Sequence, residues 1–367
     1  MIQPGPARWT LVLPGRLDSR TGGTIYDRRL VEQARARGEH VRVVELVEGR
    51  YPTPSPAAVQ EAEREFAGLP DGEVVVVDGL ALGALPGLAA EHAGRLRLVA
   101  LVHHPLCDEG MELRHDLLDS ERQALACVQR IVVTSEFTRS RLEALGMIPS
   151  QITPYVVEPG VDPAPLSASW QPGTELRLLS VGSLTPRKAH VDAIRALADV
   201  LVQSEQPWRW TLVGRMDLDG EESSRILRTI EEAGLGPRVD ALGEVSDVDL
   251  TRHYHESHVL LHPARYEGFG MVITEALARG LPVLCSSGGA LGQTLAGHGS
   301  RAAANGGVEL AGAVHRPGDT AALSSILVDL LETRERWSEW RATAVDARSR
   351  LDDWRAASQS FSVALHF

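Results

Sequence analysis

The segment richest in candidate chemistry is residues 265–275, which read Arg-Tyr-Glu-Gly-Phe-Gly-Met-Val-Ile-Thr-Glu. Its two carboxylates, Glu267 and Glu275, lie eight positions apart. Gly268 and Gly270 allow the backbone to approach a ligand closely, and a helix beginning near Gly270 would direct free N–H groups at the loop, which favours a phosphate. Both carboxylates could then accept hydrogen bonds from the hydroxyl groups of a sugar-nucleotide. A glycine-rich turn with two solvated glutamates is the simpler alternative, and the full pattern disfavours it.

Two other patterns have the spacing of metal ligands, and both are better explained without a metal. Asp217-x-Asp219 precedes a predicted helix, which the acidic pair is expected to cap. Histidines 253, 255, 258 and 262 cross from a predicted helix into a strand, so they are not expected to share a face. We therefore predict neither a metal site nor a cofactor.

The elements that position these residues follow from the period of the apolar residues. Strand-like runs are expected at 9–13, 41–46, 74–77, 96–102, 131–134, 176–181, 208–213, 259–262 and 282–285. Helical patterns are expected at 23–38, 86–93, 112–127, 136–146, 188–203, 222–234 and from about 270. This alternation predicts the α/β class with doubly wound parallel sheets.

A stretch with three prolines and a glycine, residues 158–165, indicates a linker between two such halves. We predict an N-terminal Rossmann-like domain over 1–160, a second one over 161–350, and a C-terminal helix at 351–367 that crosses back to the first domain. The segment 319–365 is helical in pattern throughout. Its aromatic residues, Trp337, Trp340, Trp354 and Phe361, are expected to attach the terminal helices to the body.

Composition excludes several classes of protein. The chain has 367 residues, of which 43% are hydrophobic and 23% charged, as in globular domains with well-packed cores. A net charge of −12 without a basic block disfavours nucleic-acid binding, and three widely separated cysteines disfavour a disulfide framework. No membrane span or signal peptide is recognisable, so we expect a cytoplasmic protein for which membrane contact is not expected.

Glu267-x7-Glu275 with Gly-Phe-Gly between them resembles the signature of retaining glycosyltransferases of family 4. Four further segments resemble the family's motifs in the family's order: Leu179–Lys188 for its Gly-Arg-Leu-x-x-x-Lys loop, then Trp210–Gly214, Leu242–Leu250 and Ala278–Val283. The resemblance is strongest from 176 to 295. It implies the GT-B fold, in which two Rossmann-like domains face a cleft and C-terminal helices pack back.

The resemblance implies a donor site in the second domain. Glu275 would bind the ribose hydroxyls, Glu267 would lie near the donor sugar, and Lys188 would neutralise the leaving diphosphate as its charge grows. The other donor-binding candidates are Gly23, Ser183, Arg187, Gly243, Val245, Gly268, Phe269, Gly270, Met271 and Val272.

One position departs from the family pattern. The family usually has an arginine five residues before the lysine, where this chain has Ser183. Serine donates a hydrogen bond but carries no charge, so Arg187 or Arg265 could replace the missing charge. The same departure keeps a catalytically weak or inactive nucleotide-sugar-binding homologue open as the alternative function.

The first domain is expected to bind the acceptor. Thr21-Gly-Gly-Thr24 at the start of the first helix resembles the family's glycine pair, which abuts the diphosphate and the acceptor; a simple tight turn is the alternative. His103 follows the fourth strand, where ligands of open α/β sheets bind. The family often has a histidine at this place, so the resemblance implies that His103 lies near the reacting sugar, with His104 as the alternative. The acceptor-binding candidates are Arg16, Thr21, Gly22, His104 and Asp108, although Asp108, Glu109 and Glu112 could instead cap the next helix.

Together these observations predict a retaining glycosyltransferase that moves a hexose from a nucleotide-sugar, expected to be a UDP-sugar, to a small hydroxyl acceptor. The base, the sugar, the acceptor and the oligomeric state stay open. A Rossmann dehydrogenase is disfavoured because residues 14–19 lack Gly-x-Gly-x-x-Gly after the first strand, and the signature loop disfavours a phosphorylase or epimerase.

Overall fold

The computed structural model describes residues 8–108, 114–171, 173–303 and 307–366. The chain divides into two compact units: unit 1 comprises the residues up to Gly160 and those from Asp352 onward, and unit 2 comprises Val161–Leu351. The division falls inside the proline-rich stretch 158–165, which forms neither helix nor strand. In the described part of the chain, no helix is both long enough and apolar enough to cross a bilayer.

The strands are β1 (Arg8–Pro14), β2 (His40–Leu46), β3 (Val74–Asp78), β4 (Arg97–Val102), β5 (Arg130–Val133), β6 (Tyr155–Val156), β7 (Leu176–Val181), β8 (Trp208–Val213), β9 (Val239–Ala241), β10 (Val259–His262), β11 (Val283–Ser286), β12 (Ser300–Ala302), β13 (Val308–Leu310) and β14 (Gly312–His315). The α-helices are α1 (Gly22–Ala36), α2 (Pro56–Ala67), α3 (Gly79–Leu82), α4 (Pro86–His92), α5 (His115–Leu125), α6 (Glu136–Ala144), α7 (His190–Gln203), α8 (Gly220–Glu232), α9 (Asp247–Glu256), α10 (Met271–Leu277), α11 (Leu291–His298), α12 (Thr320–Glu332), α13 (Arg334–Ala347) and α14 (Trp354–Leu365).

Unit 1 is built on a parallel six-stranded sheet with the order β2-β1-β3-β4-β5-β6. Its central strands are continuous apolar runs, and the valines at 75–77 are at most 1% exposed, as a parallel sheet covered by helices on both faces requires. Because β2 and β3 lie on opposite sides of β1, the strand order reverses between β1 and β3. Ligands of open α/β sheets bind outside the carboxyl ends of the strands at such a reversal.

The last helix, α14, packs on unit 1. Its Phe361 ring lies 5.6 Å from the ring of Trp9, and its Trp354 ring lies 5.9 Å from that of Tyr26. The chain passes close to the start of this helix at Gly160, where a Cβ atom would lie 2.3 Å from the backbone nitrogen of Trp354. Aromatic contacts and close backbone packing therefore hold the two ends of unit 1 together.

Unit 2 repeats the architecture with the sheet order β14-β11-β10-β7-β8-β9, and all its neighbouring strands are parallel. The antiparallel pair β12–β13 lies outside this sheet. Buried tryptophans, among them Trp208 and Trp210, fill the core between the sheet and α7, α8 and α12. The strand order here reverses between β7 and β10.

The predicted α/β class with doubly wound parallel sheets is confirmed. The periodicity missed α2, α3, β6, β9, α11, β14 and the β12–β13 pair, which are short or carry few apolar positions. The segment 319–365 is three helices, because it breaks near Thr333 and again between Arg348 and Asp353. Asp353 caps the last of them by accepting a hydrogen bond from the Ala356 N–H.

Candidate functional site

Two loops meet where the strand order of unit 2 reverses. The loop after β7 contains a 3₁₀ turn at Pro186–Lys188, and the loop after β10 contains Glu267. The Arg265 N–H donates to the Arg187 carbonyl at 2.8 Å, and the Arg187 guanidinium donates to the Tyr266 carbonyl at 2.7 Å. The lysine and the first signature glutamate are thereby fixed relative to each other.

The Glu267 carboxylate lies between two cations. Lys188 Nζ contacts Glu267 Oε1, and Arg187 Nη1 lies 3.2 Å from Oε2. Burial alone would raise the pKa of Glu267, which is only 13% exposed, but the two cations outweigh burial and hold this pKa well below its usual range. Burial lowers the pKa of Lys188 and the neighbouring Arg187 charge lowers it further, which together outweigh the opposing effect of Glu267.

Two buried histidines border the same group. His262 Nε2 lies 3.4 Å from Glu267 Oε1, and burial lowers the pKa of its imidazole. Burial also lowers the pKa of His190, at the start of α7, to about 3, with further contributions from His262 and Lys188. Both rings are therefore neutral at pH 7, and the positive charge here is carried by Lys188 and Arg187.

Glycines set the path of the signature loop. Gly270 has φ +90° and stands immediately before α10, and a Cβ atom there would lie 2.6 Å from Leu291 Cδ2. Gly289, with φ +63°, packs against the loop, and its Cβ would lie 2.2 Å from the Glu267 carbonyl oxygen. The positive φ angles favour glycine at both positions, and at Gly289 the close backbone packing also leaves no room for a Cβ atom.

The other signature residues lead into α10 or begin it. Phe269 is buried, and its carbonyl accepts a hydrogen bond from the Thr294 hydroxyl at 2.6 Å. Gly268 is also buried, whereas Met271 and Val272 are partly exposed. These contacts anchor the loop on α11.

Tyr254 on α9 orients Glu275. Its hydroxyl donates to Glu275 Oε2 at 2.8 Å, and the Arg279 guanidinium lies 4.2 Å from its ring centroid. Burial and the Glu275 charge hold the pKa of Tyr254 well above its usual value, so the hydroxyl stays a donor. Glu275 also acts on Lys188, since its charge is among those that raise the lysine pKa against burial.

The remaining donor-side candidates lie at the same sheet edge. A Cβ on Gly214 would lie 1.9 Å from the Gly182 carbonyl oxygen, and the Gly214 N–H donates to the Gly243 carbonyl at 2.9 Å. The loops that follow β7, β8 and β9, which contain Ser183, Gly214 and Gly243, are thus in contact. Val245, two residues further on, packs against the core cluster that includes Tyr254.

The two arginines proposed as substitutes at Ser183 are separated by the structure. Arg187 contacts Glu267 and lies beside Lys188. Arg265 is exposed and forms an ion pair with Asp192 at 2.7 Å.

In unit 1, the glycine pair begins α1. Thr21 is the N-cap, and its side chain and that of Thr24 form a reciprocal capping box. Gly22 and Gly23 are the first helical residues, so they do not form the separate tight turn considered as the alternative. Gly23 lies against His103, since a Cβ there would lie 3.2 Å from His103 Cδ2.

His103 lies in a cluster with two carboxylates. Its Nε2 is 3.1 Å from Asp27 Oδ1, on α1, and 3.3 Å from Asp78 Oδ2, at the end of β3. Asp27 and Asp78 are buried, and the His103 side chain is 18% exposed. These side chains follow β1, β3 and β4, at the carboxyl edge where the strand order of unit 1 reverses.

Three acceptor-side candidates lie outside this cluster or only border it. Arg16 is exposed and pairs with Asp18 at 3.0 Å. Asp108 binds the Arg141 guanidinium through both oxygens at 2.8 Å, and His104 is partly exposed beside His103.

The helix-capping alternative for Asp108 is wrong. The N-cap residue of α5 is Arg114, without a side-chain cap, because Asp108 is held by Arg141 instead. Glu109 and Glu112 lie outside the described residues.

The rejected metal patterns can also be placed. Asp219 caps α8 as expected, whereas Asp217 does not cap it and pairs with Arg215 at 2.8 Å. His258 Nδ1 accepts from the Arg177 N–H, and His262 faces Glu267. Within the described ranges, the side chains close enough to share a cation are those of Asp27, Asp78 and His103.

Sequence reasoning missed four residues around the predicted ones: Asp27, Asp78, Tyr254 and His262. Asp78 and His262 had a usable signal, since each ends a buried strand of a parallel sheet. Asp27 and Tyr254 lie within helices, where the sequence offers no comparable signal.

The two doubly wound parallel six-stranded sheets define the GT-B fold. Sucrose-phosphate synthase from Thermosynechococcus elongatus has a similar structure, with a TM-score of 0.77 and 20% identity over 97% of this chain and 98% of that one. HepE from Anabaena, solved in complex with UDP and glucose, matches with a TM-score of 0.74 and 18% identity over 97% of this chain and 99% of that one.

Residues 167–344, slightly less than half of the chain, match the family described as glycosyl transferases group 1. O-antigen chain mannosyltransferase B from Escherichia coli is 24% identical over 244 residues, which are 64% of this chain and 60% of that protein. D-inositol 3-phosphate glycosyltransferase 2 from Catenulispora acidiphila is 26% identical over 255 residues, 66% of this chain and 56% of that protein. The chain thus spans less than two thirds of the length of these relatives.

Proposed function

We propose that this chain is a retaining glycosyltransferase of family 4 that moves a hexose from a nucleotide-sugar to a small hydroxyl acceptor. The observation that carries the proposal is the group of Lys188, Arg187 and Glu267 at the β7/β10 reversal of unit 2. The match of residues 167–344 to glycosyl transferases group 1 and the GT-B fold support the same class.

In this proposal, the diphosphate of the donor lies against Lys188. The lysine side chain is held by Glu267 and packs on Gly182, where a Cβ atom would lie 3.2 Å from Lys188 Cε. A cation fixed before the reaction stabilises the charge that grows on the leaving diphosphate without reorganisation. Arg187 supplies the second positive charge, which Ser183 cannot.

The composition of the chain also supports a specific role for Lys188. It is the only lysine in the sequence, and the other 36 of the 37 basic residues are arginines. Lysine is a compact point charge whose pKa shifts readily on burial, whereas arginine is a planar fork that stays charged. A lysine at this one position is therefore consistent with a site that needs a small ammonium between a carboxylate and a phosphate.

Glu275 is proposed to bind the ribose hydroxyls of the donor. Tyr254 occupies Oε2, which leaves Oε1 as the oxygen available to a hydroxyl group. The fold similarity to HepE, solved with UDP and glucose, supports a UDP-sugar as the donor. Unit 1 would bind the acceptor through the Gly22–Gly23 start of α1, with His103 near the reacting sugar.

The proposed reaction proceeds on one face of the sugar. The acceptor oxygen bonds to the anomeric carbon as the bond to the diphosphate oxygen breaks, and the acceptor proton passes to the leaving diphosphate. The products are the glycoside, with the anomeric configuration of the donor, and the nucleoside diphosphate. We propose that the reaction needs no metal ion and takes place in the cytoplasm.

The first experiment identifies the donor and tests transfer. Thermal-shift screening against UDP-, GDP- and ADP-hexoses would select the base, and nucleoside diphosphate release would then be followed with a panel of polyols and sugar phosphates. We expect release that depends on the acceptor, and a product with the donor's anomeric configuration by NMR. Inversion would refute the retaining mechanism. Binding without release would favour the alternative, a nucleotide-sugar-binding homologue, which Ser183 motivates.

The second experiment tests Lys188 directly. Lys188→Met should lower turnover about 10²–10³-fold, while Arg355→Met, which removes an exposed charge on α14, should not change it. Because the chain has one lysine, an amine-reactive reagent modifies only Lys188 and the terminal amine. We expect the nucleotide to protect Lys188 and not the terminal amine. Equal modification with and without nucleotide would contradict the proposed site.

A further inference from the structure

The His103 ring is held on several sides in unit 1. Its backbone carbonyl accepts hydrogen bonds from the Thr134 and Thr138 hydroxyls at 3.1 and 3.2 Å. The Tyr26 ring packs edge-on against the imidazole at 5.4 Å, and Gly23 lies against its Cδ2 edge. The ring is therefore fixed in one orientation before any ligand binds.

The hydrogen bonds of His103 define which nitrogen carries a proton. Nε2 forms a hydrogen bond with Asp27 Oδ1 at 3.1 Å and lies 3.3 Å from Asp78 Oδ2. Ionised carboxylates only accept hydrogen bonds, so Nε2 must be the donor. Nδ1 is then the ring nitrogen left to face a ligand, and no protein partner for it is found among the described residues.

The charges around the His103 ring favour protonation of Nδ1 as well as Nε2. Burial alone would lower the pKa of His103, but Asp27 on α1 and Asp78 at the end of β3 outweigh it and raise the pKa. Burial raises the pKa of Asp27, whose Oδ2 is buried and has no hydrogen-bond partner in the described part of the chain. The neighbouring Tyr26 is neutral because burial raises its pKa. The strongest charges on the ring are therefore the two carboxylates, which stabilise a cation.

We infer that Asp27 and Asp78 are positioning residues that keep His103 an imidazolium, so that Nδ1–H donates a hydrogen bond to an oxygen of the bound substrate. The inference rests on the proposed function for the identity of that substrate. It assigns His103 the role of a hydrogen-bond donor and excludes it as the base that deprotonates the acceptor. It also explains why the ring is paired with two carboxylates at once: a single carboxylate would orient it, and the second adds charge.

A bound divalent cation is the competing explanation of the same three side chains. It would have to displace the Nε2 proton, which already forms a hydrogen bond with Asp27 Oδ1 at 3.1 Å and lies beside the Asp78 carboxylate. Asp78 is moreover engaged elsewhere, since its Oδ1 caps α3 by accepting from the Leu80 N–H at 2.7 Å. The proton therefore accounts for the geometry without a further ligand.

The first part of the test measures the protonation state of His103. Protein labelled with ¹⁵N-histidine would be titrated by NMR from pH 5.5 to 9, with the His103 signals assigned from a His103→Gln variant. We expect both ring nitrogens of His103 to stay protonated through pH 8 in the wild type and to titrate at lower pH in Asp27→Asn and Asp78→Asn. A wild-type His103 that is neutral at pH 7 would overturn the inference. So would tightly retained zinc with loss of the Nε2 proton.

The kinetic arm tests the positioning role. Both substitutions keep the shape of the side chain, and in Asp78→Asn the amide carbonyl oxygen can still cap α3. We expect kcat to fall about 10- to 100-fold at pH 8.5, the usual value of a hydrogen bond from a charged donor, and to recover toward wild type at pH 5.5. Wild type should show no such recovery. An equal loss at both pH values would indicate a merely structural role and overturn the inference.

The two arms separate the possible failures. The NMR arm needs no turnover, so a chain that transfers no sugar refutes the proposed function while the spectra still decide the charge of His103. If Asp27→Asn does not fold, Asp78→Asn gives the same readouts, and thermal unfolding of each variant reports its integrity.

Discussion

Glu121, on α5 of unit 1, is a buried carboxyl group whose charge the fold opposes. It is 1% exposed, its Oε2 accepts from the Leu106 N–H at 2.8 Å, and its Oε1 is buried with no hydrogen-bond partner among the described residues. Burial raises its pKa to about 8, although the hydrogen bond from Leu106 acts in the opposite direction. We predict that Glu121→Gln stabilises unit 1 at alkaline pH, because glutamine keeps the acceptor for Leu106 and cannot ionise.

The size of the effect follows from linkage. Below pH 4.5 Glu121 is mostly protonated in both the folded and the unfolded chain, so its ionisation does not change the free energy of unfolding. Between about 4.5 and about 8 the unfolded chain ionises Glu121 while the folded chain does not, so the stability of the wild type falls as the pH rises. A tenfold change in an ionisation constant corresponds to about 1.4 kcal/mol. The variant should therefore be close to wild type at pH 5 and up to about 5 kcal/mol more stable at pH 9.

Two buried cysteines allow each unit to be followed separately. Cys107, beside Glu121, reports unit 1, and Cys285 reports unit 2, since neither is exposed in the folded chain. Labelling with a pyridyl disulfide across a denaturant series, read by peptide mass spectrometry, gives a midpoint for each. We expect the Cys107 midpoint of Glu121→Gln to exceed that of wild type at pH 9 and to be close to it at pH 5. Glu63→Gln, at an exposed site on α2, is the control. A variant no more stable than wild type at pH 9 would refute the reasoning.

Two further predictions concern unit 2. Gly289→Ala should displace the Glu267 loop, because its Cβ would lie 2.2 Å from the Glu267 carbonyl oxygen; we expect about 1–3 kcal/mol lower stability and loss of nucleotide release. Gly297→Ala, whose Cβ meets nothing within 4 Å, is its matched control, and equal behaviour of the two variants would contradict the packing argument. Tyr254→Phe removes the hydroxyl that holds Glu275, so calorimetry should show about tenfold weaker nucleotide binding. An unchanged affinity would show that Glu275 does not contribute to nucleotide binding.

The parts of the fold that could be predicted are those with a local signal. Strands such as β3 and β10 are short apolar runs, and helices such as α7 and α8 repeat apolar residues at the helical period. The break between the halves was marked by prolines. Elements such as α11 and the β12–β13 pair were missed because tertiary contacts, not their own pattern, stabilise them.

The candidate site divides in the same way. The sequence alone was enough to identify the signature loop, because Glu267, its two glycines and Glu275 lie within one strand–loop–helix passage. It also marked Lys188, but it did not decide between Arg187 and Arg265. Only the pairing of the β7 and β10 loops placed Arg187 at the carboxylate and left Arg265 with Asp192.

The groups that no sequence pattern indicated are those whose members lie far apart in the chain. Asp27 and His103 are 76 positions apart, and Tyr254 reaches Glu275 from another helix. They meet because the sheet places β1, β3 and β4 side by side and packs α9 near α10, an order that the packing of whole elements decides. Local sequence therefore identified the residues within one strand–loop–helix passage, whereas the tertiary structure decided which residues far apart in the chain contact each other.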